Sequence, residues 1–313
     1  MIHEKKLLWP GREDVSLTTY VLDDSQEMLA GKARPAVIVC PGGAYLSCSD
    51  REGEPVALRF NAMGYHAFVL RYSVYSENKG GMLFGGDKDA QAKPWLTHPA
   101  PMRDIARAML EIRAHAAEWK VDMEKIALCG FSAGAHNCAM YSVYWDKPVM
   151  REPFDVEAEA LRPAATILGY TLSDYCFMEQ AAGGSEDPMA RGLFEMSNLA
   201  FTGQRRPGPE LLEAISPARL VTKATPPMFL WTTAGDRLVP VQHSTLMATA
   251  LANAGVPFEM HIFEQGDHGL ALADQSTAHD VGQLNPDAAR WAGLCQAWLE
   301  KRFALNLPQE AGW

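Results

Sequence analysis

Six short apolar runs, nearly bare of charge, punctuate the chain: PAVIVC (35–40), HAFVLRYS (66–73), KIALCGFS (125–132), AATILGY (164–170), PMFLWTTAG (227–235) and FEMHIFE (258–264). A strand covered on both faces has no side for water, so it reads as a continuous apolar run rather than an alternation. A seventh run, SLTTYVLD (16–23), alternates and suits the edge of a sheet. Helical patterns lie between the runs. Met102, Ile105, Ala106, Met109, Ile112 and Ala116 recur at the helical period and predict a helix over 102–119. QHSTLMATALANAG ends on Gly255, a residue suited to closing a helix. Trp291, Leu294, Cys295, Trp298 and Leu299 form a stripe that docks a last helix on the sheet. Strands alternating with helices predict an α/β fold with a mostly parallel, doubly wound sheet.

The 313 residues suffice for one large α/β domain, and a chain of this length buries roughly 75% of its unfolded surface. Two stretches break the alternation. Residues 76–101 are rich in Gly, Pro, Asp and Lys, and residues 171–226 separate two strands by far more than one helix needs. Segments that long usually carry function, so the chain is expected to be a single domain over 1–313, with 171–226 a lid-like insertion. The formal net charge of -10 argues against a nucleic-acid or anionic-membrane partner, because there is no basic excess to neutralise phosphates. No apolar run reaches the length of a signal peptide at the N-terminus or of a membrane span elsewhere. The six cysteines show no paired or zinc-ligand spacing. A reduced, cytoplasmic protein without a metal is expected.

Residues 130–134 read GFSAG, after the strand KIALC and before the helical run AGAHNCAMYSVYW. That is the strand–turn–helix setting of a nucleophile elbow, in which a strained turn exposes a serine Oγ. Ser132 is therefore the candidate nucleophile. A serine hydroxyl needs a base, and in this architecture the chain order is serine, acid, histidine. Asp236 follows PMFLWTT in AGDRLVP, and His268 follows FEMHIFE in QGDHGLAL. Both positions fall at the carboxyl edge of the sheet, where α/β sites form. Asp236 could instead cap the following helix, and Asp174, after the preceding strand, is a rival acid. His136, His261 and His279 read as structural. CPGGAY (40–45) follows the strand AVIV, where a glycine turn can aim backbone N–H groups at a developing oxyanion. Gly43, Ala44 and Ala133 are the candidate donors. Tyr45, Phe194 and Phe201 are candidate substrate contacts, since the insertion holds more apolar residues than a solvated loop would.

PGGAYLSCSDREGEPVALRF, PAPMRDIARAMLEIRAHAAEWKVD, IALCGFSAGAH, ATPPMFLWTTAGDRLVPVQHS and FEQGDHGLAL together resemble the bacterial α/β-hydrolase acetylesterases, relatives of hormone-sensitive-lipase-like carboxylesterases and of acetyl-xylan and feruloyl esterases. The resemblance covers most of residues 35–300. Pro41 stands where lipases of the HGGG type have histidine, and Ala44 and Ala135 stand where glycine is usual. These changes keep the backbone donors and narrow the space beside the serine. The resemblance implies a serine carboxylesterase that removes acetyl or other short acyl groups from a sugar-like or small alcohol, without a cofactor. Its partner would be a small-molecule ester such as an acetylated carbohydrate, and a homo-oligomer is compatible with it. Two other readings share the motifs. A prolyl-oligopeptidase-type peptidase usually carries a propeller domain, which this chain lacks. A non-catalytic binding protein on the same scaffold predicts loss of a triad residue type, and all three types are present.

Overall fold

The strands Arg34–Cys40, Ala165–Gly169 and Met228–Thr233 are buried along their whole length, and their side chains alternate between two layers of core. Ala36, Ile38 and Cys40 point to one layer and Val37 and Val39 to the other. In the computed structural model, which describes residues 1–79, 89–183 and 188–307, eight strands form one sheet. They are β1 (Lys5–Trp9), β2 (Arg12–Tyr20), β3 (Arg34–Cys40), β4 (His66–Arg71), β5 (Val121–Phe131), β6 (Ala165–Gly169), β7 (Met228–Thr233) and β8 (Phe258–Phe263). Their order is β1-β2-β4-β3-β5-β6-β7-β8. The pairs β1–β2 and β2–β4 are antiparallel, and all others are parallel.

Among the described residues, ten α-helices accompany the sheet: α1 (Glu54–Ala62), α2 (Ala100–Ala114), α3 (Ala116–Trp119), α4 (Ala133–Tyr144), α5 (Pro148–Arg151), α6 (Tyr175–Gly183), α7 (Pro188–Thr202), α8 (Pro209–Ala214), α9 (Gln242–Ala254) and α10 (Trp291–Phe303). Met102, Ile105 and Met109 of α2 share one layer with Cys138 and Met140 of α4. Phe60 of α1 and Trp291, Trp298 and Leu299 of α10 fill the other. Trp291 and Trp231 stack at 5.1 Å, which fixes α10 on β7, the strand beside the β8 edge.

The six apolar runs become β3 to β8. The alternating run at 16–23 lies within and just beyond β2, but β2 is not the edge. β1, whose charged sequence KKLLW gives no apolar run, covers it. The other edge, β8, is partly exposed along most of its length. The single helix expected over 102–119 is two, because the chain breaks at His115 and then turns through Lys120 in the left-handed region. Gly255 closes α9 at φ 69°, as expected of that position.

The long excursion between β6 and β7 carries α6, α7 and α8. Its neck is closed by two hydrogen bonds: Ala218 N–H to Ser173 O at 3.0 Å and Tyr175 N–H to Ser216 Oγ at 2.7 Å. Of the other irregular stretch, 80–88 lie outside the described residues.

Candidate active site

Four strand ends converge at the carboxyl edge of the parallel sheet. β5 delivers Ser132 at φ 52°, ψ −121°, a backbone conformation that costs a side-chain-bearing residue about 1–3 kcal/mol and is kept only where its surroundings enforce it. Here the Ser132 N–H donates to Gly169 O at 3.0 Å. Gly134 lets α4 start against β3, since a Cβ there would stand 2.1 Å from Cys40 O. β7 leads into Asp236 and β8 into His268.

The three side chains meet. Ser132 O–H donates to His268 Nε2 at 2.8 Å, and His268 Nδ1–H donates to Asp236 Oδ2 at 2.6 Å. The carboxylate can only accept, so the proton on Nδ1 leaves Nε2 free to take one. The Asp236 side chain is 1% exposed and that of His268 14%. Asp236 Oδ1 accepts from Leu238 N–H and Val239 N–H, both at 2.9 Å, so the acid also holds the turn that follows it. Asp174 lies elsewhere. It pairs with Arg219 at 2.8 Å and caps α6 by accepting from Phe177 N–H. His136 is buried, accepting from Tyr45 O–H and donating to Ile215 O. His261 pairs with Glu259, and His279 is exposed.

The turn after β3 runs through three left-handed residues in succession: Gly43 at φ 133°, Ala44 at 55° and Tyr45 at 58°. Leu46 N–H and Ser47 N–H both return to Gly43 O, at 2.9 and 3.2 Å. A Cβ at position 43 would stand 2.2 Å from Ser47 O, so only glycine fits there. Among the described residues, neither the Gly43 nor the Ala44 N–H has a protein acceptor. Both residues border one cavity of about 290 Å³ with Ser132 and His268. Ala44, Ser132 and Ala133 also open on a smaller cavity of about 60 Å³, walled by Leu172, Met178, Leu193, Phe194 and Val239. A third, polar cleft of about 570 Å³ shares Gly43, Ser47, Ser49 and Arg51 with the first.

Of the expected substrate contacts, Phe194 is on the wall of the small cavity. Tyr45 and Phe201 are not, and this corrects their placement. Tyr45 is 1% and Phe201 0% exposed, and their rings stack at 4.2 Å behind the wall. Their size makes them fillers of the layer that supports the turn. Sequence reasoning also missed Leu238 and Val239, although they follow Asp236 directly. It missed Tyr170 too, whose ring meets that of His268 edge-on at 4.9 Å.

The BD-FAE family model matches residues 90–251, just over half of the chain. The chain belongs to the BD-FAE family. Its fold and its relatives place it among the α/β-hydrolase esterases. The BD-FAE match includes Ser132 and Asp236, whereas His268 and the turn at 43–44 lie outside it. The chain is 31% identical over 242 residues, 77% of its length and 33% of the relative's, to endo-1,4-beta-xylanase B of Butyrivibrio fibrisolvens. Among solved structures, an acetyl ester-xyloside bifunctional hydrolase from Caldicellulosiruptor lactoaceticus superposes with a TM-score of 0.71 at 31% identity, covering 95% of this chain and 96% of that one. The carboxylesterase Cest-2923 from Lactobacillus plantarum superposes with a TM-score of 0.74 at 29% identity, covering 96% and 98%. The chain spans between 33% and 51% of the length of the curated relatives it matches. Among the described residues, no helix is long and apolar enough to cross a membrane.

Proposed function

We propose that this chain is a serine carboxylesterase that removes short acyl groups, acetyl foremost, from a polyhydroxylated or small alcohol. The observation that carries the proposal is the unbroken hydrogen-bonded line from Ser132 Oγ through His268 to Asp236, opening on one small apolar cavity. Ser132 Oγ attacks the ester carbonyl carbon while His268 Nε2 takes its proton. Asp236 holds the imidazole in the competent tautomer and stabilises the imidazolium. The carbonyl oxygen becomes an oxyanion and receives the N–H groups of Gly43, Ala44 and Ala133, in a site already shaped for it. The tetrahedral intermediate collapses, the C–O bond to the alcohol breaks, and His268 returns its proton to the departing alkoxide. Water, deprotonated by the same histidine, then releases the acid and restores Ser132.

The two flanking spaces support the assignment of acyl and alcohol sides. The cavity of about 60 Å³, closed by Met178, Leu193 and Phe194, suits a short acyl chain. The larger polar cleft, with Asp14, Asp50, Arg51, Arg71 and Asn78 on its surface, suits an alcohol rich in hydroxyls. In this reading Leu172, Met178, Leu193 and Phe194 of the excursion wall the acyl side, which is the lid role we assign to it. An acetyl-ester-hydrolysing relative of the same fold supports the choice of acetyl.

The test is hydrolysis of p-nitrophenyl esters from C2 to C8 and of acetylated sugars by the wild type and by Ser132→Ala. The variant should fold normally and lose about 10⁶ in kcat, the loss seen when other serine hydrolases lose their nucleophile. Wild-type activity should peak between C2 and C4. Retention of most activity by Ser132→Ala would remove the nucleophile assignment, and a maximum at C8 would remove the short acyl pocket.

A further inference from the structure

A buried carboxylate outside the triad ties the two halves of the site together. Glu52 is 4% exposed and sits in a short turn before α1. Its Oε2 accepts from Gly42 N–H at 2.7 Å, one residue before the left-handed turn of Gly43 and Ala44. Its Oε1 accepts from the Tyr170 hydroxyl at 2.5 Å. The Tyr170 oxygen in turn accepts from Ala271 N–H at 3.0 Å, in the loop that carries His268. Burial raises the Tyr170 phenol well above its usual range, so it stays protonated and donates to Glu52.

We propose that Glu52 is a positioning residue which, through Tyr170, holds the donor turn and the histidine loop in register with each other. The inference rests on the esterase reading above. A carboxylate suits the task because both of its oxygens accept, so two donors from separate loops are fixed at once. Glutamine has a single accepting oxygen, so whichever way its amide turns, one of the two donors faces an NH2. Among the described residues, Glu52 has no ion pair. Burying an unpaired carboxylate is costly, and a residue that served packing alone would be replaced by its neutral isostere without loss. Tyr170 adds a second link, since its ring lies edge-on to the imidazole at 4.9 Å.

The experiment compares wild type, Glu52→Gln, Tyr170→Phe, the double variant and Ser132→Ala. The measurements are kcat and KM on p-nitrophenyl acetate, the inhibition constant of a trifluoromethyl ketone that forms a tetrahedral adduct on serine, and Tm. Each single variant should lose about 10–100-fold in kcat, below the loss expected for deleting an oxyanion donor outright. KM should change by less than about threefold, as for an interaction made in the transition state. The ketone should weaken in parallel with kcat. The double variant should lose no more than the worse single one, because the two residues act as one unit. Tyr170→Phe keeps the ring and carries the test alone if Glu52→Gln does not fold. Folded single variants with kcat within about threefold of wild type would overturn the inference. So would a loss confined to KM, or losses that multiply in the double variant. Hydrolysis by Ser132→Ala at the wild-type rate would instead overturn the esterase reading, whatever the other variants do.

Discussion

Acid should unfold this protein through histidines that take no part in the reaction. His66, His136 and His243 are at most 1% exposed. In each, one ring nitrogen already accepts. His66 Nδ1 takes Leu22 N–H at 3.0 Å, His243 Nδ1 takes Ser173 N–H and Asp174 N–H at 3.3 Å, and His136 Nδ1 takes Tyr45 O–H at 2.6 Å. A second ring proton would evict those donors. Burial is the leading cause of the shift, and it lowers His66 and His243 to about 4 and His136 to about 3. The unfolded chain therefore takes up protons near the ordinary value of about 6.5, while the folded chain does not. Unfolding binds protons in that window, so stability is complete above it and falls with pH until the folded values are reached. Between pH 7.5 and 5.5 each histidine removes about 1.4 kcal/mol, and the three together about 4. That is a large part of the stability of an ordinary domain, about 5–15 kcal/mol. Buried Asp104, whose pKa is raised by desolvation, acts in the opposite sense, its contribution growing as pH falls through its folded value. Urea unfolding at half-unit steps of pH, followed by circular dichroism, measures the slope directly. Tm should fall by roughly 6 °C over the same two units. A stability that is flat between pH 7.5 and 5.5 would refute the reasoning, because three neutral buried imidazoles cannot coexist with it.

Asp236→Asn should cost about 10⁴ in kcat by leaving the imidazole in the wrong tautomer. Asp174→Asn should leave kcat near wild type and lower stability by no more than about 1 kcal/mol through loss of the ion pair with Arg219, since asparagine still caps α6; the opposite ranking in steady-state kinetics would exchange their roles. Phe194→Ala should enlarge the acyl cavity and shift the ratio of kcat/KM for hexanoyl over acetyl esters upward by up to about tenfold, and an unchanged ratio would take Phe194 off the acyl side. Phe201→Ala should act on every ester alike and cost about 3–5 kcal/mol in chemical unfolding, as for a buried phenylalanine.

The parts of this molecule that were legible before folding are those whose cause is local. A strand buried on both faces must be apolar, so β3 to β8 are visible in single runs. The elbow is visible because its strain is relieved by glycines at fixed offsets from Ser132. β1 was not visible, because an edge strand needs little burial and KKLLW carries two lysines. The break at His115 was hidden for a different reason: the apolar period continues across it into Ala116, while the backbone does not. Tyr45 and Phe201 look like pocket residues by size and position, yet they bury against each other although they are 156 residues apart in sequence. Glu52 and Tyr170 meet by the same long-range closure, 118 residues apart in sequence. No spacing rule reports a contact of that kind.

The neck of the excursion between β6 and β7 has a consequence for how such a site can change. Ser173 O and Ala218 N–H are hydrogen-bonded, so everything from residue 174 to 217 leaves the sheet and returns to it through one gap. Lengthening a segment closed in this way is cheap, since doubling it adds only about 0.6 kcal/mol of closure entropy. Met178, Leu193 and Phe194 of the small cavity's wall are inside the loop, whereas Leu172 and Val239 of the same wall, and Ser132, Asp236 and His268, are outside it. On the proposed function, much of the acyl selectivity would thus be inherited on a stretch of chain separate from the reacting groups. A graft exchanged between Ser173 and Ala218 would carry a new acyl preference onto an unaltered engine.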